Sequence, residues 1–136
     1  MDKQFVIITH GNFAVGIKSS LEMLIGEYFN VIAIPCYTDQ NFNLEATIEN
    51  ILEKYKDKKL IFLSDIFGGS VNNYILGLVD DKKIFLITGI NLPLLIDIIS
   101  NQDYIDDKYI NKVINESKNQ IKWCNKIILT ESEDDF

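Results

Sequence analysis

His10 is the only histidine of the chain, and it stands where the apolar run Phe5-Val6-Ile7-Ile8-Thr9 gives way to Gly11. Such a run reads as a buried parallel strand, and open α/β sheets take their ligands just past the carboxyl ends of their strands. An imidazole placed there can exchange protons near neutral pH or act as a covalent nucleophile. A second run ends in Leu63-Ser64-Asp65 and continues as Ile66-Phe67-Gly68-Gly69-Ser70. If the two strands are neighbours, Asp65 meets His10. Its carboxylate then accepts the Nδ1–H bond, fixes the ring, and stabilises the cation formed when Nε2 attacks an electrophile. Gly68 and Gly69 let backbone N–H groups converge at the start of the next helix, and Ser70 can cap that helix or donate its hydroxyl to an anion. A nucleophilic imidazole beside an anion cradle points to phosphoryl transfer through a phosphohistidine. No metal or cofactor is called for, because the phosphoryl group can arrive on another protein.

The walls of this site are expected from two loops at the same sheet edge. Gly11 and Phe13 follow the first strand, and Thr88 and Asn91 follow the fourth, in Thr88-Gly89-Ile90-Asn91-Leu92-Pro93. Each piece also has a purely structural alternative. A strand-end histidine can be a hydrogen-bonded structural residue, Asp65 can cap a local turn, and Gly-Gly-Ser can be a tight connection. Asn91 and Pro93 can simply start a helix. Convergence of all of these on one edge favours a functional site.

The elements that must position these residues follow from periodicity. Apolar runs at Phe5–Thr9, Val31–Pro35, Leu60–Leu63, Ile84–Ile87 and Ile127–Leu129 alternate with helical stripes. Ala14, Ile17, Leu21, Leu24 and Tyr28 form one stripe, and Leu44, Ile48, Ile51, Leu52 and Tyr55 a second. Helices are also expected at Asn72–Leu78, from Pro93 onward, and over Asp107–Lys122 with Ile110, Val113, Ile114 and Ile121 inward. The alternation predicts an α/β fold, a three-layer, open and mainly parallel sheet of flavodoxin-like order 2-1-3-4. Ile127–Leu129 would be a C-terminal edge strand, antiparallel to the rest. Residues 1–130 would form one domain and 131–136 an acidic, frayed tail.

Composition narrows the partners. Thirteen lysines and arginines against twenty aspartates and glutamates leave a net charge of −7, which argues against a general nucleic-acid binder and against docking on anionic lipid. No apolar stretch approaches the ~20 residues of a membrane helix, and the N-terminus does not read as a signal peptide. Cys36 and Cys124 have no metal-ligand spacing, and both are expected to be reduced and partly buried. These features fit a cytoplasmic protein.

Three blocks together resemble the IIA component of the mannose-family (mannose–fructose–sorbose) sugar phosphotransferase system. They are Thr9-His10-Gly11-x-Phe13-Ala14-x-Gly16 continuing to Ser20-Leu21-Glu22-Met23, Asp65-x-Phe67-Gly68-Gly69-Ser70-x-x-Asn73, and Thr88-Gly89-x-Asn91-Leu92-Pro93. The resemblance runs from Phe5 to about Leu129. It implies that His10 is phosphorylated by phospho-HPr and discharged to a IIB component, with Asp65 as its hydrogen-bond partner. It also implies a cytoplasmic homodimer working with membrane IIC and IID components, in which Ile127–Leu129 is exchanged between subunits. No IIB module follows the last run, which makes a separate IIB polypeptide the expectation. Val71 stands where the family often has proline, and so keeps an N–H and loses a fixed φ. A donor to a dihydroxyacetone kinase would use the same kind of histidine, but the Phe13–Gly16 and Ser20–Met23 blocks favour the sugar branch. A receiver-like regulator phosphorylated on Asp65 would want an acidic cluster for magnesium, whereas the first strand ends in Thr9 and His10.

Overall fold

In the computed structural model, which describes residues 2–127, the first four apolar runs form strands β1 (Lys3–His10), β2 (Val31–Cys36), β3 (Lys59–Ser64) and β4 (Ile84–Thr88). All pair in parallel, in the order β2-β1-β3-β4, as the alternation predicts. The two central strands are covered on both faces, so their apolar runs are continuous and buried from Phe5 to Ile8 and from Leu60 to Leu63.

Successive side chains feed two cores. Phe5, Ile7, Ile61 and Leu63 pack with α1 (Phe13–Ile25), α4 (Leu92–Ser100) and α5 (Asp107–Lys118). Val6, Ile8, Leu60 and Phe62 pack on the other side with α2 (Leu44–Lys54) and α3 (Ser70–Leu76). Burial of each large aliphatic side chain contributes about 1.5–3 kcal/mol, which is what holds the three layers in register.

The helices begin on caps supplied by the sequence. Asn43, Asn91 and Asp106 accept the N–H groups of Ala46, Leu94 and Tyr109 at the starts of α2, α4 and α5. Helix α1 borrows its cap from the preceding strand: Thr9 Oγ1 accepts the Ala14 N–H at 2.7 Å. That bond ties the first helix directly to the residue before His10.

Several expectations shift. Leu24 is exposed, and Tyr28 lies past the end of α1, because Gly26 at φ 85 stops the helix after Ile25. The third helix starts at Ser70 rather than Asn72, with Gly69 in the cap position and no side-chain cap. Helix α5 stops at Lys118, where the Asn119 N–H turns back to the carbonyls of Glu116 and Ser117. Ile121 is therefore solvent-exposed rather than inward. Val71, where the resemblance would place proline, is fully buried in the second core. Cys36 is buried and Cys124 exposed, both as free thiols. No helix among the described residues is long and apolar enough to cross a membrane. The expected edge strand Ile127–Leu129 lies, beyond Ile127, outside the described residues, as does the acidic tail 131–136.

Candidate functional site

Strand register brings the first two candidates together. The β1–β3 ladder ends at Ile8 opposite Ser64, while β1 continues along β2 until His10 lies opposite Cys36. His10 therefore overhangs the end of β3, where Asp65 begins the next loop. Gly11 turns the chain away at φ 60, a left-handed backbone that favours glycine, and its N–H is held by the Cys36 carbonyl at 2.8 Å.

The Asp65 carboxylate accepts three N–H groups. Oδ2 takes the backbone N–H of His10 at 3.0 Å and lies 3.2 Å from its Nδ1; Oδ1 lies 3.3 Å from Nδ1 and takes the Ile66 N–H at 3.0 Å. A carboxylate only accepts, so Nδ1 must carry the proton and the neutral ring keeps its lone pair on Nε2. The Asp65 side chain is 11% exposed and that of His10 38%. The carboxylate is thus screened while part of the ring faces outward. Asp65 does serve as the local turn partner, through Ile66, but it spends more of its capacity on His10.

Gly69 abuts the ring. A Cβ at this position would lie 3.2 Å from His10 Cε1 and 3.8 Å from Nε2. Its φ of −74 is open to any residue, so closeness to the imidazole is the demand for glycine here. Gly68 provides the turn at φ 84, and its carbonyl accepts from Asn73 Nδ2 at 3.1 Å. Ser70 stands in the first turn of α3, and its Oγ lies 2.8 Å from the hydroxyl of Tyr37.

Tyr37 is the residue that sequence reading passed over. It follows β2 directly, so the pairing of His10 with Cys36 places it beside the imidazole. Its ring stacks on that of His10, with centroids 5.7 Å apart and planes 25° from parallel. Phe42 meets its other side edge-on at 5.0 Å. Tyr37 also has φ 65, and it is the one non-glycine residue with positive φ among the described residues. For a bulky side chain that backbone costs on the order of 1–3 kcal/mol. A parallel partner for β1 was the available signal, but the left-handed turn was not readable from an aromatic residue.

The remaining candidates fall elsewhere. Thr88 faces the interior side of this edge, where Ser64 Oγ sits 2.8 Å from its Oγ1 and 2.9 Å from Asn72 Oδ1. Asn91 caps α4 and also donates to the Ser117 carbonyl of α5 at 3.0 Å. Phe13 and Asn91 do share a surface: they line a shallow, largely apolar groove of about 580 Å³ with Gly16, Ile17, Ser20, Ile90 and Leu92. Cys36, the thiol paired opposite His10 on β2, is out of play. Burial first, and then the charge of Asp65, push its thiol up to about 11, so it stays protonated.

The chain is similar to known proteins. A family model described as PTS system fructose IIA component matches residues 4–122. The PTS system fructose-specific EIIA component of Bacillus subtilis (strain 168) is 29% identical over 109 residues, 74% of this chain and 70% of that protein. The PTS system mannose-specific EIIAB component of Escherichia coli (strain K12) is 32% identical over 118 residues, 80% of this chain but 34% of that protein. The chain thus spans about a third of the length of that relative. A crystal structure of a candidate phosphoenolpyruvate-dependent sugar phosphotransferase system permease from Klebsiella pneumoniae superposes with a TM-score of 0.86 at 28% identity, covering 93% of each chain.

Proposed function

The chain belongs to the PTS fructose IIA component family, a mannose-type IIA group, and from that premise we propose that it is a phosphocarrier working through His10. The lone pair of Nε2 attacks the phosphorus of phospho-HPr. The N–P bond to the HPr histidine breaks, and the electron pair leaves with that nitrogen. The new phosphohistidine keeps its Nδ1 proton in the hydrogen bond to Asp65. In the second step a nucleophile of a IIB component attacks the same phosphorus, and Nε2 departs with its lone pair restored. Catalysis is mostly positioning and electrostatic stabilisation of the moving group.

The observation that carries this reading is the paired geometry of His10 and Asp65. A carboxylate held by three N–H donors fixes the tautomer that leaves Nε2 nucleophilic, on a ring that is more than one-third exposed. Backbone donors around Gly68–Ser70, with the Ser70 hydroxyl, would cradle the phosphoryl oxygens, the Gly69 N–H giving up its long 3.4 Å contact with the Ile66 carbonyl to do so. The exposed apolar side chains of Ile66 and Phe67, next to Asp65, supply contact area for visiting proteins. In this reading the protein acts in the cytoplasm as a homodimer beside the membrane IIC and IID components. The half-buried Ile84, Phe85 and Leu86 on edge strand β4 would take a strand from the second subunit.

The test is incubation with phosphoenolpyruvate, enzyme I and HPr. Acid-labile label on His10 that is discharged by a IIB protein is expected. Label absent from His10, or discharged only by a dihydroxyacetone kinase, overturns the assignment.

A further inference from the structure

We propose that Tyr37 is a positioning residue of the His10 site: its ring roofs one face of the imidazole, and its hydroxyl aims the Ser70 hydroxyl at the group that His10 carries. The proposal rests on the reading of His10 as the phosphorylated residue and adds a residue to that site. It begins from an oddity. A tyrosine occupies a left-handed backbone position at the end of β2, at φ 65, where glycine or asparagine would be at ease. The conformation persists because both ends of the side chain are engaged, the ring between His10 and Phe42 and the hydroxyl on Ser70. Half of the side chain nevertheless remains exposed, so burial alone does not account for it.

The two contacts have distinct chemical consequences. The imidazole becomes cationic in character once Nδ1 is protonated and Nε2 carries phosphorus. A ring centroid 5.7 Å away is within the range at which the negative face of an aromatic ring attracts a cation. The contact also limits rotation of the ring about the bond that aims Nε2. In the second contact a phenol is a stronger acid than an alcohol, so Tyr37 donates and Ser70 Oγ accepts. The Ser70 hydroxyl proton is then left pointing away from Tyr37, available to a phosphoryl oxygen. Gly69 brings the start of α3 against Cε1 and Nε2, which places Ser70 next in line. The bond also ties the end of β2 to the first turn of α3, two segments 33 residues apart.

Two measurements separate these roles. Because the chain has one histidine, its imidazole proton resonances are assigned without ambiguity. Ring current from Tyr37 should place them away from their positions in an exposed histidine. Tyr37→Phe keeps the ring and should leave them in place, while Tyr37→Leu should move them. This arm reads the unphosphorylated protein and stands even if the wild type takes no label from phospho-HPr, a result that would sink the proposed function and the hydroxyl relay but not the stacking role. Resonances unmoved in Tyr37→Leu would overturn the stacking role. In the second measurement, Tyr37→Phe and Ser70→Ala should each slow phosphoryl transfer several-fold, and the double variant should be no slower than either. A wild-type rate in Tyr37→Phe, or losses that multiply in the double variant, would overturn the hydroxyl relay.

Discussion

Two polar clusters sit one strand apart on the same edge of this sheet, and they are put to opposite uses. Between β1 and β3, the carboxylate of Asp65 is hydrogen-bonded to the imidazole of His10, and the ring reaches solvent. Between β3 and β4, Ser64, Thr88 and Asn72 form a neutral chain, in which Ser64 is fully buried and Asn72 is 1% exposed. Both follow from side chains at strand carboxyl ends, the position where open α/β sheets bind ligands. Position is therefore not what makes a site. The first cluster has an overhanging strand, since β1 runs on past the Ser64 pair and lifts His10 clear of β3. The second is roofed by α3 and seals the interior. Among the described residues Asn72 Nδ2 has no hydrogen-bond partner, an exception to the usual pairing of buried polar groups.

Substitutions break or sharpen that contrast. The largest effect is expected from His10→Gln, which should abolish acid-labile labelling, by roughly a thousand-fold or more given the loss of the nucleophile, while circular dichroism shows the fold intact. Asp65→Asn comes next. It keeps the shape but no longer compels Nδ1 to carry the proton, and transfer should fall on the order of 10²-fold in rapid-quench measurements. A rate within twofold of wild type would make Asp65 a turn residue only, with no part in transfer.

Gly69→Ala should act between the two regimes. The added methyl meets His10 Cε1 at 3.2 Å and must displace the ring or the loop. Displacements well under 1 Å suffice to slow transfer by about tenfold, with a melting temperature close to that of wild type. The smallest kinetic effect is expected from Ser64→Ala. It strands the partners of a buried hydroxyl and should lower stability by about 1–2 kcal/mol in urea unfolding, yet leave the transfer rate within about twofold. If Ser64→Ala slows transfer as much as Asp65→Asn, the two clusters are one machine and the contrast fails.

The contrast also marks how far the sequence could be read. Strand order was legible because Phe5–Ile8 and Leu60–Leu63 are unbroken apolar runs, which only doubly covered central strands require. His10 and Asp65 were legible for the same reason, as each is the first polar residue with acid–base chemistry after such a run. Thr88 also ends an apolar run, but it has a hydroxyl rather than a titratable group, and that hydroxyl is hydrogen-bonded to Ser64. Ile121 fitted the helical period, but α5 ends three residues before it, and among the described residues its side chain is left exposed. Periodicity states which face a residue takes if an element continues; it does not state where capping competes with the next turn.

What the chain determined by itself is therefore the alternation of elements, the parallel sheet, and a histidine and an aspartate at the ends of adjoining strands. These depend on apolar period and on the few chain crossovers that a right-handed α/β fold permits. Only the folded structure decided that β1 outruns β3, that Gly69 presses on the imidazole, and that Tyr37 bends into a left-handed turn to lie over it. Each of these sets a local backbone or side-chain cost against contacts between residues tens of positions apart, and no local window of sequence contains both sides of that balance.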